Sequence, residues 1–189
     1  MSTVKAWVDE SGSDQVRDPG TYILAATIVC EDAEPDIRDQ MSQLRLPGQV
    51  KLHWRDESAK RKRQITTVVA AFDIEHFIVV RVNGAGDRPE RARRKCLEQL
   101  LYELEYRGLT DVVMESRGRA SDQKDIDMLN SLRSQHWVSS VRLTHLSGRD
   151  EAMLWIPDAV CGAITSARTG TPAYQDQLEH AITLIEIQA

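Results

Sequence analysis

Apolar and polar residues alternate over residues 3–10, TVKAWVDE, with Val4, Ala6 and Val8 set against Lys5, Trp7 and Asp9. That period of two predicts a strand. The turn-rich SGSDQVRDPG follows, and GTYILAATIVC is then apolar almost throughout, which predicts a second, mostly buried strand paired to the first. Residues 32–44 space Ile37, Met41 and Leu44 as an amphipathic helix that ends before Pro47 and Gly48. A second short helix is expected over 57–72, after KLHWRDES, and EHFIVVRVN is a third strand by its β-branched and aromatic content. Residues 89–106 carry Ala92, Cys96, Leu97, Leu100, Leu101 and Leu104 at helical spacing, with Pro89 in the first turn and Gly108 at the exit.

The second half continues the alternation. TDVVMES predicts a fourth strand, SDQKDIDMLNSLRSQ a helix capped by Ser121, and SSVRLTHLS a fifth strand. Residues 150–167 form a late apolar helix. Residues 173–187 are expected to add a last one, with Leu178, Ile182 and Ile185 at helical spacing, packed on the domain or forming a seam between two copies. Strands that pair early and alternate with helices later imply an α/β fold: a mixed β-sheet of about five strands flanked by helices, as a single domain over residues 1–189.

Composition narrows the function classes. Lys and Arg number 24 against 29 Asp and Glu, a net charge of -5, so any nucleic-acid footprint must be local rather than global. Two basic runs are candidates, Lys60-Arg61-Lys62-Arg63 and Arg91, Arg93, Arg94, Lys95, although such runs also serve as solvated helix faces. No stretch approaches the ~20 apolar residues of a membrane span, so no membrane partner is expected. Cys30, Cys96 and Cys161 are odd in number and widely spaced, and are read as reduced core thiols of a cytoplasmic protein. The chain does not disclose its oligomeric state; a homodimer is one option.

The candidate chemistry lies in acids at strand ends. The first strand runs into Asp9-Glu10-Ser11-Gly12, and the fourth ends in Glu115. Asp158 interrupts the apolar LWIPDAVCGAI of the late helix, where an ionised carboxylate costs several kcal/mol unless compensated. Carboxyl ends of parallel strands form the usual site edge of such sheets. Asp9, Glu115 and Asp158 would converge there from distant parts of the chain, a donor set that suits Mg²⁺ or Mn²⁺. Each acid has a plainer reading as well: Asp9 and Glu10 as turn residues, Glu115 as a solvated strand end, and Asp158 as a first-turn acid after Pro157. Alternatively the helix has already begun before Pro157 and kinks there.

VDESG after a short strand, the KLHW segment, the Glu-ending strand and the late I-x-D-x-V-x-G together resemble one family, the prokaryotic and phage domain of unknown function 3800 (DUF3800). The resemblance covers about residues 4–168, and DESG is its most specific piece. It implies a ribonuclease H-like fold and a metal-dependent nuclease site, with Asp9, Glu115 and Asp158 as metal ligands. Glu10 belongs to the same motif as a further candidate, although its side chain should face away from Asp9. Lys51 and His53 fall in the polar segment near the site, His53 as a group that moves a proton or contacts phosphate. The family's late helix reads like L-Q-I-A-D, whereas this chain has Leu154-Trp155-Ile156-Pro157-Asp158, which keeps the acid and changes its neighbours.

Three functions follow as expectations. The first is a divalent-metal-dependent nuclease or phosphodiester hydrolase acting on nucleic acid, with Asp9, Glu10, Lys51, His53, Glu115 and Asp158 as its site. The second is a catalytically inactive binding or scaffold protein of phage or mobile-element biology on the same fold. The third is a nucleotide-binding protein using Asn83-Gly84-Ala85-Gly86, a weak match to a phosphate loop.

Overall fold

The computed structural model describes residues 3–82, 84, 86 and 88–189; much of the expected Asn83–Gly86 loop therefore lies outside the described residues. β1 (Val4–Ser11), β2 (Tyr22–Cys30) and β3 (Glu75–Val82) form an antiparallel meander. β4 (Asp111–Glu115) joins β1 in parallel, and β5 (Arg142–Leu146) joins β4 in parallel. A sixth strand, β6 (Ile182–Gln188), lies parallel to β3, giving the order β5-β4-β1-β2-β3-β6.

β6 corrects the expected final helix. The segment contains only a short helix, α6 (Ala173–Asp176), before the chain extends. Ile182, Thr183, Ile185 and Ile187 are β-branched, which suits a strand better than a helix. Beside the open edge of β3 that preference wins, and the helical seam between copies has no basis.

The two sheet faces carry separate cores. Trp7, Ile23, Ala25, Ile78, Val80 and Val113 face a layer containing α1 (Glu34–Gln43), α2 (Ala59–Ala70) and α5 (Trp155–Arg168). Ala6, Val8, Leu24, Phe77, Val79, Val112 and Met114 face α3 (Pro89–Tyr106) and α4 (Arg119–Ser134). Because side chains alternate along a strand, the first face also receives Asp9, two residues after Trp7, and Glu115, two after Val113. β1 and β4 run in the same direction with Val8 beside Met114, so both acids emerge at one end of the sheet.

Helix boundaries follow local rules with some shifts. Pro89 opens α3, and Gly108, at φ +74°, closes it by an N–H bond to the Glu105 carbonyl. Ser121 is not a cap: α4 begins at Arg119, after Gly118 at φ +95°. Cys96 and Cys161 are buried free thiols as expected, but Cys30 at the end of β2 is exposed. Trp7, Trp54 and Trp155 are buried, whereas Trp137 is half exposed against Tyr102. No helix among the described residues is long and apolar enough to cross a membrane.

Candidate active site

Asp158 occupies the first turn of α5, with Pro157 immediately before it. The helix has already begun before Pro157, at Trp155. A separate 3-10 turn at Ala152–Leu154, whose Met153 N–H is capped by Glu151 at 3.0 Å, leads into it. α5 lies across β1 and β2, which places Asp158 opposite Asp9. A second tie joins the same elements, as the Ser11 and Thr165 hydroxyls meet at 3.3 Å.

Asp9 is buried, and its Oδ1 accepts the Glu10 N–H at 2.8 Å. Burial holds its carboxyl well above the ordinary carboxylate range, and the charges of Asp158 and Glu115 push it further in the same direction. Asp158 is raised by burial too. The backbone N–H of Trp54, donating to Oδ2 at 2.7 Å, works against that rise, as do His53 and Lys51, while Glu115 adds to it. The three acids expected from the sequence therefore sense one another across the sheet end.

Glu115 has a different neighbourhood. Lys51 donates to its Oε1 at 2.5 Å, and Gly148 backs the carboxylate so closely that a Cβ there would stand 2.4 Å from Oε1. The Trp155 indole N–H holds the Gly148 carbonyl at 2.6 Å. Trp155, which together with Pro157 departs from the resembled family's pattern, thus pins the loop against Glu115.

His53 precedes a 3-10 turn at Trp54–Asp56, and its Nδ1 lies 3.3 Å from Asp56 Oδ2. It borders two clefts. One, of about 620 Å³, includes Ser11, Arg55, Lys62 and Asp158 in its lining. The other, of about 540 Å³, includes Gln49, Lys51 and Arg149. Lys62 also stands over the Trp54 ring, 5.3 Å from its centroid.

Glu10 is not gathered with the other acids. Its carboxylate lies on the opposite face, accepting from Arg93 at 2.5 Å and from the Tyr22 hydroxyl at 2.8 Å. Arg93 is buried and also grips Asp125, so this member of the second basic run is internal and corrects its reading as a phosphate contact. Sequence reasoning missed the Trp54 amide, Gly148, Gly162 and Arg149. Only Gly162 left a trace, as the small residue of I-x-D-x-V-x-G.

Among the described residues no group of three or more His, Cys, Asp or Glu side chains is placed to hold a metal ion. The donor chemistry nevertheless fits a hard divalent cation: Asp9 and Asp158 are facing oxygen donors whose mutual repulsion such an ion would relieve.

Solved structures share this architecture. A chain in the PCNA:RNase HII complex from Archaeoglobus fulgidus aligns with a TM-score of 0.52 at 11% identity, over 94% of this chain and 77% of that one. Bst-RNase HIII in complex with Mn²⁺ aligns at 0.53 and 11%, over 95% of this chain and 54% of that one. The fold is ribonuclease H-like. A variant of Bst-RNase HIII gives a TM-score of 0.52 at 10% identity, over 95% and 54%. The chain thus spans about half the length of the ribonuclease HIII chains it matches. No family model and no curated protein matches it, so the DUF3800 resemblance rests on its short motifs.

Proposed function

We propose that this ribonuclease H-like chain is a divalent-metal-dependent nuclease of the DUF3800 kind. The observation that carries the reading is the approach of Asp9, Glu115 and Asp158, from β1, β4 and α5, at one end of the sheet. Asp9 and Asp158, with Glu115 beside them, would hold Mg²⁺ or Mn²⁺. The bound ion would supply Lewis-acid stabilisation of the phosphodiester's developing charge.

The chain's own groups supply binding and proton transfer. Arg55 and Lys62 in one cleft, and Arg149 in the other, offer cations to a phosphate backbone on either side of His53. Such contacts position the strand without reading its sequence. His53 stands where the clefts meet and is the group placed to carry a proton to or from a scissile phosphate. Trp54 orients Asp158 through its amide.

The test is cleavage of labelled RNA, DNA and RNA–DNA hybrid by wild type and Asp9→Asn, with Mn²⁺, Mg²⁺ or EDTA. Metal-stimulated cleavage lost in Asp9→Asn supports the reading, and an undiminished rate in that variant defeats it. The neutralisation of Glu115 by Lys51 favours the second reading, a binding protein without catalysis. Nucleic-acid binding with no cleavage in any metal would establish that alternative.

A further inference from the structure

We propose that Lys51 takes the place of a second divalent cation at Glu115, so that the carboxylate centre of this chain holds one ion, between Asp9 and Asp158. The inference rests on the metal-dependent reading above and deepens it. Lys51 Nζ sits 2.5 Å from Glu115 Oε1, and its charge also acts on Asp158, so one ammonium serves two of the three acids. Glu115 is also backed by the main chain. Gly148 lies against both carboxylate oxygens, with a Cβ position 2.4 and 3.0 Å from them, and the Trp155 indole fixes that backbone.

Asp9 and Asp158 are held differently. Each accepts a backbone N–H, from Glu10 and Trp54 respectively, and the described residues give neither a bonded Lys or Arg. In a two-ion centre the ions stand roughly 4 Å apart. A second dication bound through Glu115 would enter against the Lys51 ammonium, and like charges at that range repel.

The experiment counts Mn²⁺ on the full chain by calorimetry and by the electron paramagnetic resonance of free and bound ion. It compares wild type with Lys51→Met, Lys51→Gln and Lys51→Arg. Lys51 is partly exposed on a surface segment, and urea unfolding of each variant verifies the fold. One ion is expected on wild type and Lys51→Arg. Two are expected on the uncharged variants, with the spectrum of a coupled pair. Two ions on wild type, or one on both uncharged variants, would overturn the role of Lys51 and leave the metal-dependent reading standing. No uptake by any of the four proteins would overturn both.

Discussion

Gly162 lies directly under the indole of Trp54: a Cβ at that position would stand 2.1 Å from Cδ1. The glycine sits one turn after Asp158 on α5, so the close approach that seats the indole also delivers the Trp54 amide to the Asp158 carboxylate. Gly162→Ala should therefore act on the site as well as on packing. Overpacking there should cost about 1–3 kcal/mol, partly offset by alanine's better helix propensity. Urea unfolding measures the cost. A variant as stable as wild type would mean that the ring moves aside freely.

Asp9→Asn should raise the Tm in EDTA. A carboxyl whose pKa is raised by folding is ionised at neutral pH at the expense of the folded state, and an amide carries no such cost. The amide oxygen can still accept the Glu10 N–H. Mn²⁺ should stabilise wild type and not the variant, and metal-stimulated cleavage should fall by about 100-fold or more, beyond the loss typical of a group behind the ligands. Thermal unfolding with and without metal checks the first two points, and initial cleavage rates the third.

His76 should make the protein acid-sensitive. It is buried on β3 with Thr27 at 3.1 Å, and burial, then His180, lowers its pKa from 6.5 to about 4. Between those values the unfolded chain binds the proton more readily than the folded one. The stability is thus complete above pH 6.5 and is lost as the pH falls towards 4, by about 3 kcal/mol in total. Asp9 contributes with the opposite sign, so the difference between wild type and His76→Leu across this range is the quantity to measure. An unchanged difference from pH 7 to pH 4.5 would contradict the assignment.

Arg93→Met should destabilise strongly without touching metal uptake. Removing the guanidinium leaves Asp125 buried with His145 alone at 3.0 Å and takes one cationic partner from Glu10, a loss of about 3–5 kcal/mol. The pair lies across the sheet from Asp9. Calorimetric Mn²⁺ binding at a temperature where the variant remains folded should match wild type.

Much of this was visible in the chain. Trp7 and Asp9 share a strand parity, as do Val113 and Glu115, so period-two reading placed both acids on one face and Glu10 on the other. Asp158 stood out because it broke an apolar run. The contacts that tune these acids were not visible, because two of them join segments distant in sequence, Lys51 to Glu115 and Trp54 to Asp158, and the third, Trp155 to Gly148, depends on how the loop between them turns back. Arg93 misled for a related reason. A basic residue in a basic run reads as solvated until Asp125 and Glu10 arrive from elsewhere. At 182–187, the branched residues fit a period of two and a spacing of three and four alike, and only the open edge of β3 decides between them.

That edge bears on how the molecule is assembled. β3 finds its partner β6 only after α3, β4, α4, β5, α5 and α6 have intervened, whereas β1, β2 and β3 are neighbours in sequence. Pairings between residues so far apart close late and slow folding. While they are pending, the meander shows Phe77, Ile78, Val79 and Val80 on an unprotected strand, the kind of edge on which other chains add. β6 is in this sense the cover of the nascent sheet, and shortening the chain before Ile182 would trade a folded protein for an aggregating one.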